Sequence, residues 1–140
     1  MEYQRLCSGF PEAGYNYYAF AEQLYYAKRL NESLAALEKC RQHYVDNRVY
    51  LLKGKTEQEL GLTDSAEASF LRAVYMVPNR MESRYTLAHF YYETGDIAKA
   101  KRWCNSILNM TIKIPSVKTA LLLKETVILF NKINSPHTSK

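Results

Sequence analysis

The sequence predicts an all-α helical solenoid, three helix pairs closed by a C-terminal capping helix, and three observations carry that prediction. Five glycines and four prolines in 140 residues are too few for the many turns of an all-β fold. The stretch Ala66–Pro78, A-E-A-S-F-L-R-A-V-Y-M-V-P, sets small and large residues at helical spacing and ends on a proline, which cannot continue a helix. Four columns of residues then recur at steps of 33 and 34. They are Ala21, Gly54 and Ala88; Ser33, Ala66 and Ala100; Leu37, Phe70 and Cys104; and Cys40, Ala73 and Ile107. A single helix pair cannot bury its apolar face alone, so pairs stack on neighbours and about three are needed.

Residues 1–10 read as a short N-terminal stub. Pro11 suits the first turn of a helix, where its missing N–H would be unpaired anyway. That helix runs to about Lys28 with Ala13, Tyr17, Phe20, Ala21, Leu24 and Tyr25 on its buried face. Asn31 caps a second helix with the stripe Leu34, Leu37 and Cys40. Asn47 caps a third, which ends at Leu60 with Gly61 just beyond it, a common helix C-terminus. Thr63 caps a fourth that stops at Pro78. Asn79 starts the fifth, carrying Tyr85, Leu87, Ala88 and Tyr91, with Gly95 after it. Asp96 caps the sixth, with Ile97, Ala100, Cys104, Ile107 and Leu108 inward.

Met110–Ile114 alternates apolar with polar and β-branched residues and reads as an extended connector. Pro115 and Ser116 open the last helix. On it Val117, Ala120, Leu121, Val127 and Ile128 are expected to cover the third pair, while Lys118, Lys124, Glu125 and Lys132 face water. The repeat domain is therefore expected over 11–133, with repeats at about 14–46, 47–79 and 80–113 and a capping helix at 116–133. Residues 134–140 form a polar tail expected to be disordered.

The columns and their period resemble the tetratricopeptide repeat. The resemblance implies that the first helix of each pair lines a concave groove that takes an extended peptide or protein segment. The groove-facing columns collect Tyr15, Tyr18, Glu22 and Tyr25, then Arg48, Leu51, Lys55 and Gln58, then Tyr85, His89 and Tyr92. From these the candidate partner-binding residues are Tyr18, Arg48, Lys55, Tyr85, His89 and Tyr92. Tyrosine supplies apolar area, a polar tip and little entropy to lose, which suits recognition. Tyr25 and Tyr91 are assigned instead to packing. The carboxylate clamp of some relatives needs lysine and asparagine where this chain has Tyr18, Leu51, Tyr85, Glu22, Lys55 and His89, so that clamp is absent.

The segment Met76–Arg102, M-V-P-N-R-M-E-S-R-Y-T-L-A-H-F-Y-Y-E-T-G-D-I-A-K-A-K-R, continues as I-L-N-M-T-I-K-I-P-S at Ile107–Ser116. Over roughly residues 45–133 it looks like the C-terminal repeat region of bacterial O-antigen ligase/polymerase-like membrane proteins. That resemblance implies a soluble appendage of a surface-glycan assembly protein, tethered at the bacterial inner membrane. The glycan chemistry there belongs to a multi-spanning domain, and its catalytic residues map onto nothing here.

Composition narrows the function further. The formal charge is +5, from 19 Lys and Arg against 14 Asp and Glu, and no basic run reaches five residues, so no nucleic-acid partner is expected. Cys7, Cys40 and Cys104 show no C-x-x-C spacing, and His43, His89 and His137 are far apart, so neither disulfide framework, metal nor cofactor is expected. Glu57, Glu59 and Glu93 are spaced as solvated helix positions. There is no glycine-rich phosphate loop. Leu121–Phe130 is interrupted by Lys124, Glu125 and Thr126 and cannot span a bilayer. The expectation is a non-catalytic interaction module. Its rivals are a homodimer formed through the first helix pair, and glycan binding on the tyrosine-lined face.

Overall fold

A computed structural model describes residues 13–41, 46–110 and 116–134, and the chain divides into two compact units, residues 1–76 and 77–140. The first contains α1 (Ala13–Tyr26), α2 (Leu30–Arg41), α3 (Asn47–Glu59) and α4 (Thr63–Met76). The second contains α5 (Met81–Thr94), α6 (Ile97–Leu108) and α7 (Val117–Asn134). Among the described residues there is no strand. Helices α1 and α2, α3 and α4, and α5 and α6 pack as pairs, and α7 packs on α6 and α5. This is the all-α, tetratricopeptide-type architecture of three helix pairs and a terminal helix.

The twelve residues of the four repeating columns are all buried. Their sizes explain the register of each pair. In the second pair Gly54 gives the Phe70 ring its space: a Cβ on Gly54 would lie 2.6 Å from Phe70 Cε1, closer than van der Waals contact permits. In the first pair the Ser33 hydroxyl donates to the Ala21 carbonyl at 2.8 Å, so a polar column residue is satisfied inside the packing.

The three within-pair turns close identically. The N–H groups of Lys28, Gly61 and Gly95 donate to the carbonyls of Tyr25, Gln58 and Tyr92, and those of Arg29, Leu62 and Asp96 reach back to Leu24, Glu57 and Tyr91. This double closure ends a helix on a left-handed residue. The φ values are 64° at Lys28, 82° at Gly61 and 90° at Gly95. Lys28 thus holds a conformation that its two repeat equivalents assign to glycine.

Several helix starts differ from the sequence expectation by one or two residues. Asp46, not Asn47, caps α3, its carboxylate accepting the Arg48 N–H at 2.7 Å, and Asn47 is buried as the first helical residue. Asn31 lies inside α2, Thr63 begins α4, and α5 starts at Met81 behind Arg80 rather than at Asn79. Asp96 does cap α6, accepting from the Lys99 N–H at 3.3 Å. Ser116 stands before α7 and accepts the Thr119 N–H at 3.1 Å. Pro11, the N-terminal stub, the connector over 111–114 and the tail from 135 onward lie outside the described residues.

Three burial expectations are corrected. Glu57 is buried rather than solvated: Lys53 Nζ lies 2.8 Å from its Oε2 and the Ser69 hydroxyl donates to its Oε1 at 2.6 Å. A buried carboxylate needs such partners. Ile97 and Leu108 sit at the exposed edges of α6, leaving Ala100, Cys104 and Ile107 inward. The inward face of α7 is Thr119, Leu122, Thr126, Leu129 and Ile133, not Val117, Ala120, Leu121, Val127 and Ile128, which are exposed. Helix α7 is apolar on more than one side, so periodicity alone does not choose between its faces. Thr126 tolerates burial because its hydroxyl donates to the Leu122 carbonyl at 2.6 Å.

Candidate functional site

The candidate partner-binding residues fall on the first helices of the pairs, and each unit carries its own set. In the first unit α1 supplies Tyr18 and α3 supplies Arg48 and Lys55. The Arg48 guanidinium carbon stands 5.6 Å from the centroid of the Tyr18 ring, a cation–π distance. Asp46 holds it there, with Arg48 Nη2 3.2 Å and Nε 3.3 Å from Asp46 Oδ2. One carboxylate therefore caps α3 and orients its first cation. Burial pushes the Tyr18 phenol up to about 12, with Glu22 adding to the shift and Arg48 opposing it. The hydroxyl stays a hydrogen-bond donor at any physiological pH. Lys55 is exposed two turns further along α3.

Two other residues of the expected groove columns behave differently. Leu51 is buried, so it belongs to the core and not to a binding face. Tyr25 is partly buried against the cluster of Tyr17, Ala21, Leu24 and Leu37, and burial together with its hydrogen bond to Glu59 raises its phenol well above the usual tyrosine range. The side chain of Tyr15 lies outside the described residues.

In the second unit α5 presents Tyr85, His89 and Tyr92, all half-buried. The Tyr85 and His89 rings lie 6.1 Å apart, tilted by 37°, and His89 Nδ1 is 3.0 Å from Glu93 Oε1. Glu93 thus orients the imidazole through Nδ1. Burial raises the Tyr85 phenol, and the Glu125 carboxylate on α7 adds to that shift. Tyr91 is buried with Lys99 Nζ 5.4 Å from its ring centroid, as its assignment to packing requires.

Sequence reasoning missed Asp46 and Glu93, the two carboxylates that position Arg48 and His89. The signals were local: an Asp two residues before the arginine at a helix start, and a His–Glu spacing of four on one helix face.

Among the described residues both cysteines are closed off from solvent. Cys40 and Cys104 are fully buried free thiols, and burial pushes each up to about 11, so both stay protonated and weakly nucleophilic near neutrality. Ser69 is buried and donates its proton to Glu57. Among the described residues no group of three His, Cys, Asp or Glu side chains is placed to hold a metal ion, and no helix is long and apolar enough to cross a membrane. The accessible side chains on the first helices are rings with hydroxyl and imidazole groups and neighbouring cations, chemistry that can stack and hydrogen-bond.

The tetratricopeptide repeat family model matches residues 48–80 and 82–111, which are the α3–α4 and α5–α6 pairs; these are tetratricopeptide repeats. No curated relative matches the sequence. Solved structures with the same fold include PcrH from Pseudomonas aeruginosa, at 18% identity and a TM-score of 0.77 over 89% of this chain and 93% of that one. PcrH in complex with the chaperone-binding region of PopB is similar at 19% identity and a TM-score of 0.73, over 84% and 94% of the two chains. The Yersinia enterocolitica type III secretion chaperone SycD, in complex with a peptide of the translocator YopD, is similar at 17% identity and a TM-score of 0.71, over 84% and 88%. The chain therefore shares its fold with PcrH and SycD. Neither the repeat match nor these structures supports the O-antigen ligase resemblance.

Proposed function

We propose that the chain is a non-catalytic module that binds an extended peptide segment of a partner protein on the first helices of its repeats, as a chaperone of the type III secretion kind. The observation that carries this reading is the pairing of tyrosine rings with oriented polar groups on those helices, Tyr18 with Arg48 and Tyr85 with His89. Two supporting facts stand beside it. The fold is shared with SycD, crystallised with a peptide of the translocator YopD, and with PcrH, crystallised with the chaperone-binding region of PopB. The six candidate residues Tyr18, Arg48, Lys55, Tyr85, His89 and Tyr92 are all at least partly accessible.

The test is a titration of the full chain with the chaperone-binding region of PopB and with a scrambled peptide of equal length. Saturable binding of the first alone supports the type III assignment. No binding of either up to about 100 μM, weaker than about −5.5 kcal/mol, discards that assignment.

A second reading keeps the peptide-binding role but sets it in the O-antigen context, on the strength of the M-V-P-N-R and T-I-K-I-P-S segments. In that setting the module is an appendage tethered at the inner membrane, and membrane spans encoded next to it in the parent reading frame would decide the matter. Self-association through α1 and α2 is favoured by one feature, the 72% exposed Tyr26, and a strict monomer in sedimentation removes it.

A further inference from the structure

A terminal helix of a repeat array ordinarily turns a polar outer face to solvent, whereas α7 also exposes Val117, Leu121, Val127 and Ile128 among its charges. Behind its inward seam, a second seam of Val117, Leu121, Lys124 and Ile128 runs along the opposite side at steps of four, three and four residues. Val117 is 79% exposed, Leu121 56% and Ile128 41%, with Val127 beside them at 45%. Alternating steps of three and four are the spacing by which one helix meets another along its length, and leave no comparable fit for an extended strand.

Charge says what kind of helix fits. Lys124 lies in the middle of this seam, and among the described residues it makes no ion pair. Lys118 is engaged by Glu82 at 3.4 Å, and Glu125 lies to the side, acting on Tyr85. The whole second unit is basic: residues 77–140 hold ten Lys and Arg against four Asp and Glu, a net +6, whereas residues 1–76 hold nine against ten, a net −1, which together give the +5 of the chain. A second copy of this chain would bring Lys124 against its own equivalent within two like-charged units, which is unfavourable. A lipid surface is disfavoured because the seam has no aromatic anchor and has a lysine at its centre.

We propose that the outer face of α7 docks an amphipathic, acidic helix of a partner protein, its aliphatic residues meeting Val117, Leu121 and Ile128 and a carboxylate pairing with Lys124. This surface lies on α7 and not on the tyrosine-bearing first helices, and the proposal does not depend on the peptide-binding reading. The role is helix-in-groove recognition with a specifying charge.

The test uses the full chain and two designed, fluorescein-labelled amphipathic helices about three heptads long, identical in their Leu and Ile seam but flanked by Glu in one and Lys in the other. The acidic helix is expected to bind at micromolar strength, at least about tenfold more tightly than the basic one, with affinity falling as salt rises. Leu121→Ser with Ile128→Ser should abolish binding while leaving helicity and melting temperature unchanged, since both side chains are exposed. Lys124→Glu should reverse the preference toward the basic helix. Equal or absent binding of both peptides overturns the proposal. So does binding of phosphatidylserine vesicles that Leu121→Ser/Ile128→Ser abolishes, or a dimer in sedimentation that the same variant dissociates.

Discussion

The ring of Phe70 on α4 occupies the place where a side chain on Gly54 of α3 would begin: an added Cβ would lie 2.6 Å from Cε1 and 2.7 Å from Cδ1. Gly54 is inside a helix, where alanine is favoured by about 1 kcal/mol. Packing outweighs that preference. Gly54→Ala should therefore destabilise the protein by about 1–3 kcal/mol through overpacking, read as a lower urea midpoint. Combining it with Phe70→Leu, which places in this pair the large residue that the first pair uses at Leu37, should recover part of the loss. A stabilised Gly54→Ala would show that the two helices are not held by this contact.

Lys28 adopts the left-handed conformation that Gly61 and Gly95 adopt at equivalent positions. Such a conformation costs a residue with a Cβ about 1–2 kcal/mol. Its ion pair with Glu59, at 2.8 Å and largely exposed, offsets only about 0–1 kcal/mol of that. Lys28→Gly should raise the melting temperature slightly. Gly95→Ala, at a site with no neighbour within 4 Å, should lower stability by about 1–2 kcal/mol through backbone strain alone. A small rise for Lys28→Gly and a larger fall for Gly95→Ala are the expected signature in thermal melts followed by circular dichroism.

Alkaline pH should unfold the protein earlier than its mild charge suggests. The Cys40 and Cys104 thiols are pushed from 9.0 up to about 11 and the Tyr18 phenol from 10.0 up to about 12, burial being the main cause in each. The native state keeps protons that the unfolded chain releases, so stability is constant below about pH 9 and falls as pH rises toward 11 and 12. In a Cys7→Ser background, iodoacetamide at pH 8 should label Cys40 and Cys104 only as fast as the protein unfolds. Rapid labelling under native conditions would contradict their burial.

The repeat architecture was legible because it is written in residue size. Small and large residues at Ala21, Ser33 and Leu37 and their equivalents must recur if the helix pairs are to stack, and all twelve residues of the four columns are buried. The left-handed turn of the first pair was hidden because Lys28 gives no glycine to read. The outward seam of α7 was misread because leucines occupy adjacent positions 121–123, and only packing against α5 and α6 selects Leu122 over Leu121. Candidate site residues were legible as types, since tyrosines and cations recur on the first helices. The carboxylates that orient them were not, because Asp46 and Glu93 read equally well as ordinary helix-surface charges.

The central claim, that first-helix side chains hold a partner peptide, is tested most directly by selecting a random peptide library on the full chain and measuring the selected peptide by fluorescence anisotropy. Tyr85→Ala/Tyr92→Ala and Arg48→Ala/Lys55→Ala should each weaken it by at least about tenfold, or about 1.4 kcal/mol, with far-UV helicity unchanged. Failure to enrich any peptide, or wild-type affinity in both double variants, would contradict the claim.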